Sequence, residues 1–225
     1  MRFPATVVIG IIVVAAVTSV SLTIGCRALR QPIDAGFWWD DGPFLLSMDD
    51  AAKMGGPLSA AELTRIEQLS RAEVERAYAG LRINVTARRD AFWKVAVVGT
   101  PITMNRRYSS YPFSAAGESR VFGPLGGWGS VAFAILAHNA IEYAPRDAPR
   151  DASRPLIVDG IGRGIGRAAV HELAHQALGM DNVTRIDNRT DEHSYEYANA
   201  DRPSQYYGDL RWTTARAVLE EKFGR

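Results

Sequence analysis

The sequence predicts an α+β domain preceded by an apolar N-terminal segment, and three observations carry that expectation. Phe3 to Gly25 contains no charged residue. Stretches dominated by β-branched and aromatic residues lie between segments whose apolar positions repeat at helical spacing. A long helical pattern ending near Gly179 carries two histidines four residues apart. The bulk figures agree: 225 residues, 47% hydrophobic and 23% charged, suit one globular domain with a core and exclude disorder, collagen or a long coiled coil. A net charge of +1 leaves no basic surface of the kind nucleic acid requires. Cys26 is the only cysteine, which excludes an internal disulfide framework and a cysteine-based zinc knuckle. Any metal must therefore rest on histidine and carboxylate. Of the 26 Lys+Arg only three are Lys, a bias of the kind GC-rich bacterial genomes produce.

Residues 1–26 read as an address. Val7 to Val20 is mostly Val, Ile and Ala, and about 22 apolar residues in a helix span the roughly 30 Å hydrocarbon core. Arg2 before the run, and Thr23-Ile24-Gly25-Cys26 at its end, resemble a bacterial lipoprotein signal, although Thr23 stands where leucine is usual. The alternative is an uncleaved signal anchor. Arg2 on one side and Arg27 and Arg30 on the other leave the orientation open. Both readings place the body in the cell envelope, outside the cytoplasm and tethered to a membrane through the N-terminal segment or a lipid on Cys26.

Residues 27–58, rich in Gly, Pro and Asp, read as a linker that lies on the domain. Ser59 and Glu62 form a capping box, Leu58 and Leu63 are placed as a hydrophobic staple, and Ile66, Leu69, Ala77 and Tyr78 continue a helical stripe toward Gly80. Strand signals follow at Leu81–Thr86, Ala91–Val98 and Ile102–Met104, with a short one at Val121-Phe122. Trp128–Tyr143 returns to helical spacing through Val131, Ile135 and Leu136, and 144–155 reads as a solvent loop. From Leu156 on, Ile157, Ile161, Ile165, Ala169 and Leu173 recur every four residues. They predict one helix even though each interior glycine costs about 1 kcal/mol. Gly160/Gly164 and Gly162/Gly166 share that spacing and suggest flat faces packing on the Trp128–Tyr143 helix. A phosphate-loop reading of GIGRGIG fails on the missing lysine and ribose carboxylate, so no nucleotide is expected. Asp191–Ala200 reads as a further helix and Trp212–Phe223 as a closing one.

His171-Glu172-Leu173-Ala174-His175 is an H-E-x-x-H on the long helix. Positions i and i+4 lie one above the other, so both imidazoles can meet one ion while Glu172 reaches the open side. Zinc held by three protein ligands lowers the pKa of a bound water to about 7, and a carboxylate beside it can take the proton. His138, alone on its helix, reads as a core histidine.

AAVHELAHQAL resembles the zincin superfamily of zinc metallopeptidases, with uncharged residues around the motif. That resemblance covers about a dozen residues closely and implies a zincin-like fold over 59–225: a small sheet packed on the helix that carries HExxH, with a cleft for peptide along an edge strand. It implies Zn2+ as cofactor, His171 and His175 as ligands and Glu172 as general base. For the third ligand it offers Glu196, favoured because glutamate-ligand zincins place theirs at a similar separation, with Asp187 and Asp181 as alternates. His193 is also ligand-capable. Tyr195, Tyr197, Tyr206 and Tyr207 crowd the segment downstream, where zincins often place an oxyanion donor. The function so implied is a membrane-tethered, extracytoplasmic zinc metallopeptidase acting on peptide or protein. The rival is an envelope lipoprotein using the same scaffold for binding or structure.

Overall fold

The computed structural model describes residues 32–99, 102–104, 113–122, 126–145, 150–179 and 186–224. The apolar segment 1–26 and Asp181 lie outside the described residues. Among the described residues no helix is long and apolar enough to cross a membrane. The chain divides into two units, Met1–Ile33 and Asp34–Arg225, and the second holds the α+β architecture.

Its centre is a five-stranded mixed sheet of order β2-β1-β3-β7-β6. β1 (Ile33–Trp39) forms inside the stretch expected to be a linker, pairing in parallel with β3 (Trp93–Val98) from Ala35 opposite Trp93 to Trp39 opposite Val97. Ala35 and Phe37 are buried, so this strand is stabilised by its place in the sheet, which the Gly- and Asp-rich composition around it conceals. β2 (Ile83–Thr86) lies beside β1. α1 (Met48–Lys53) and α2 (Ala60–Tyr78) lie between β1 and β2 in sequence, and α2 opens on the expected capping box of Ser59 and Glu62. β4 (Ile102–Met104) and β5 (Phe113–Ala115) form a separate antiparallel ribbon. β6 (Gly117–Val121) runs antiparallel to β7 (Gly127–Ala132) and ends the sheet.

Four further expectations change. Trp128–Ala132 belongs to β7, and helix α3 begins only at Phe133 and ends at Glu142. A strand flanked on both sides, by β3 and β6, is apolar almost throughout, and spacing alone does not separate it from a buried helix. α4 begins at Arg150, inside the expected loop, and runs to Leu178 with Pro155 in its second turn. Arg154 holds this start in place by donating to Glu62 and to the carbonyls of Met54, Gly56 and Pro57. The glycines of α4 do make flat faces, but for other partners. Gly162 and Gly166 press on α2 at Leu69, Ile66, Ser70 and Glu73, and Gly160 and Gly164 receive the rings of Tyr207 and Tyr206. A Cβ at any of the four would lie within 3.0 Å of a neighbour, which explains why the sequence accepts the cost of glycine there. Finally, 191–200 is not helical. It is a turn-rich segment with isolated bridges Asn188–Tyr197 and Ser194–Arg211, followed by α5 (Ser204–Tyr207) and α6 (Ala215–Phe223).

Candidate metal centre

α4 carries the motif in its last two turns. His171 and His175 stand one turn apart on one face, with ring planes at 80° and centroids 4.8 Å apart. Asp187 meets them from the segment after α4. The Nε2 atoms of the histidines lie 3.2 Å apart, and Asp187 Oδ1 lies 3.3 Å from His171 Nε2 and 3.4 Å from His175 Nε2. A tetrahedral zinc with bonds of about 2.0–2.1 Å has ligand–ligand edges of about 3.3–3.4 Å, so this triangle has the size one such ion requires.

The orientation of His171 is set from behind. The Tyr195 carbonyl can only accept, so Nδ1 donates to it across 3.0 Å. In the neutral ring that leaves the Nε2 lone pair directed at the point shared with His175 and Asp187. Charge follows the same lines. Burial works against ionising Asp187, but hydrogen bonds from His171 and His175 outweigh it and hold the carboxyl well below its usual range. Burial likewise opposes a proton on His171, yet Asp187 and Glu172 raise its affinity for one.

Glu172 faces the sheet edge. Burial is the main cause that raises its carboxyl above the usual range, and the two histidines offset part of that. A Cβ on Gly117 of β6 would sit 2.5 Å from Glu172 Oε1, so the strand approaches the carboxylate as closely as it does only because that residue is glycine. Ser119 of β6 donates to the Glu172 carbonyl across 3.0 Å. Gln176, the residue after the second histidine, accepts from Lys94 N at 2.9 Å and donates to Lys94 O at 3.1 Å and Ser119 Oγ at 3.0 Å. One amide thus ties α4 to β3 and β6 together. Beside these groups lies a cleft of about 670 Å³, lined by both histidines, Glu172, Asp187, the β6 edge and Tyr197.

Glu196, favoured for the third position, does not join the group formed by His171, His175 and Asp187. It is fully buried, and its carboxylate accepts from the amides of Thr213 (2.9 Å), Thr214 (3.2 Å) and Ala215 (2.7 Å) and from both threonine hydroxyls. Those amides open α6, whose first turn has no intrahelical acceptors of its own. The spacing argument for Glu196 assumed a helix over 191–200, and no such helix forms. His193 is exposed, its ring 3.8 Å from Glu192. His138 is half exposed rather than a core residue, and its Nδ1 meets both oxygens of buried Asp50 at 3.0 and 3.2 Å.

Three of the four clustered tyrosines are engaged through their hydroxyls: Tyr195 with Glu73, Tyr206 with the Ala200 carbonyl and Tyr207 with the Ala140 carbonyl. Tyr197 lines the cleft, and no hydrogen bond of its hydroxyl is formed among the described residues. Gly117, Gln176 and the Tyr195 carbonyl are the contributors that sequence reasoning missed. Only Gln176 left a trace, as a polar residue on the buried side of HELAHQAL. Compared with known proteins, the chain matches no family model and no curated protein.

Proposed function

We propose that this chain is a zinc metallopeptidase of zincin type, with His171, His175 and Asp187 as the residues that hold the metal and Glu172 as general base. The observation that carries the reading is the triangle of two Nε2 atoms and one carboxylate oxygen with 3.2–3.4 Å edges, set beside a buried glutamate in an open cleft. The donor set suits zinc: two imidazoles and one carboxylate, with the His171 tautomer chosen by a backbone carbonyl. When bound, zinc supplies a Lewis acid that acidifies water and polarises a carbonyl.

The remaining chemistry belongs to the chain. Glu172, whose proton affinity burial raises, is placed to take a proton from water and pass it to a leaving amine. Tyr197, which lines the cleft and whose hydroxyl forms no hydrogen bond among the described residues, is the candidate donor to the developing oxyanion. The outer edge of β6, the last strand of the sheet and unpaired among the described residues, is the place for an extended peptide to add. Under the same reading the uncharged Phe3–Gly25 segment is the tether that keeps the domain at the envelope membrane.

The test is metal content and hydrolysis of a mixed peptide library by the purified protein and by Glu172→Gln. The expected result is about one zinc per chain in both, with cleavage in the parent and a loss of about 10²–10⁴-fold in the variant. Zinc without cleavage in the parent would favour the binding-scaffold reading. No zinc uptake would remove the metallopeptidase reading altogether.

A further inference from the structure

Segment 187–198 delivers Asp187 and the Tyr195 carbonyl to the centre without forming a helix or a strand ladder, so its shape needs another cause. The hydrogen bonds around Glu196 supply one. Its carboxylate takes the amides of Thr213, Thr214 and Ala215, where the chain enters α6, and the hydroxyls of Thr213 and Thr214. Its backbone carbonyl accepts from Asn188 N at 3.0 Å, and Ala198 N closes the turn on the Asn188 carbonyl at 2.8 Å. Asn188 is the residue after Asp187, so the position of Asp187 is set one hydrogen bond away from Glu196. On its other side, Tyr195 N donates to Arg211 O at 3.1 Å, and Arg211 N donates to His193 O at 3.1 Å.

We infer that Glu196 is a positioning residue: it latches the Asp187 segment to the N-terminal turn of α6 and thereby sets the metal affinity of the centre without touching the ion. This rests on the metal reading above. Two physical points support the role. A fully buried carboxylate is costly unless its acceptor capacity is filled, and here five donors fill it. An amide in its place would turn an NH₂ toward N–H donors, so even the isosteric glutamine opens the latch. Thr213 and Thr214, which do not line the cleft, become determinants of metal affinity through the same contact.

The experiment uses the full-length chain in detergent and compares Glu196→Gln, the milder double variant Thr213→Val/Thr214→Val, and Asp187→Asn. Zinc affinity is read by competition with a chromogenic chelator, coordination by the visible spectrum of the cobalt(II) form, and the segment itself by hydrogen exchange of the metal-free protein. Glu196→Gln and the threonine pair are expected to weaken zinc binding by about 10–100-fold, the range typical of groups that orient ligands, with cobalt bands unchanged in position and intensity. Asp187→Asn is expected to move those bands. Faster exchange over 187–198, with 165–178 unchanged, accompanies both latch variants. The inference is overturned if both latch variants bind zinc like the parent. It is also overturned if Glu196→Gln alters the cobalt spectrum while the threonine pair behaves as parent, which would make Glu196 a ligand. A parent that takes up neither zinc nor cobalt overturns the metal reading on which this rests, and unchanged exchange in the metal-free variants overturns the latch separately.

Discussion

Two unlike pieces of chain meet at the proposed metal centre. One is the end of α4, where His171, Glu172 and His175 ride on a helix of 29 residues held against α2 and the sheet. The other is the segment 187–198, which brings Asp187 and the Tyr195 carbonyl and has no helix or strand of its own. In the first, geometry is local: once α4 forms, a spacing of four residues places both imidazoles on one face. In the second, geometry is borrowed. It depends on the hydrogen bonds that Glu196 accepts from the start of α6, on Glu73 of α2 at the Tyr195 hydroxyl, and on Arg211 beside the Tyr195 amide. The difference teaches that the side chains proposed to hold one ion differ in what holds them. Changes far from the ion should act on one half and spare the other.

The hardest break comes from removing a ligand of the helical half. His175→Ala deletes one corner of the triangle and should take zinc content from about one per chain to none by elemental analysis. Asp187→Asn keeps an oxygen in place but loses the charge, so uptake should survive at raised zinc concentration. If the two variants lose zinc equally and completely, the two halves are not separable in the sense argued above.

That contrast also explains what could be read from the sequence. The histidines, the glutamate and the helix that carries them were legible because i, i+4 spacing and apolar periodicity are local signals. Ser59 and Glu62 were legible for the same reason. Asp187 was only one of several candidates, because a loop residue is brought beside the histidines by hydrogen bonds to residues far along the chain, such as Asn188 to Glu196 and Glu196 to α6. Glu196 drew attention as a buried-type acid at ligand spacing, yet a carboxylate that caps a helix and one that binds a cation leave the same mark in a sequence. β1 and β7 were obscured differently: their stability comes from neighbours in the sheet, and their own residues carry glycine, aspartate or an almost wholly apolar run.

Next in size is Gly117→Ala, which tests how closely the helical half depends on the sheet edge. The new methyl would meet Glu172 Oε1 at 2.5 Å, and the carboxylate, the flexible partner, must move. Activity should fall about tenfold or more, since a misplacement of about 1 Å at a reacting group can cost 10²-fold, while zinc content stays at the parental level. Stability should drop by about 1–3 kcal/mol, the usual cost of overpacking, in chemical unfolding. Parental kcat would mean that Glu172 is not held at its working position by β6.

Tyr195→Phe probes the loop half more gently. The Tyr195 hydroxyl donates across 2.9 Å to Glu73 Oε1, which also accepts from Arg167 Nε at 3.1 Å and Arg76 Nη2 at 2.7 Å. Glu73 keeps its two arginines in the variant, so the loss should be about 1–2 kcal/mol of stability. The Tyr195 carbonyl, freed to shift, should lower zinc affinity several-fold in the chelator competition. A stability loss with parental zinc affinity would show that the hydroxyl anchors the fold without steering His171.

The smallest effect on the centre should come from Glu62, at the far end of α4, where Arg154 donates to it at 2.6 and 2.9 Å. The Arg154 hydrogen bonds are the largest influence and hold the Glu62 carboxyl at about 2, with burial acting in the opposite sense and Ser59 adding to the lowering. A folded-state value below the unfolded one means the stabilisation is full above about pH 4.5 and is lost as pH falls through about 2. Glu62→Gln preserves the capping-box donor and acceptor pattern while removing the charge that Arg154 meets. The variant should therefore be less stable by about 2 kcal/mol at neutral pH, with part of the ideal value screened by solvent, and the gap should close between about pH 4.5 and 2. Unfolding of metal-free protein across that range measures it without interference from ligand protonation. Zinc affinity at neutral pH should stay parental, because 16 residues of intervening helix between Arg154 and His171, packed on α2, separate the anchor from the histidines. A loss of zinc affinity in Glu62→Gln comparable to that in Tyr195→Phe would mean that the helical half, too, is positioned from a distance.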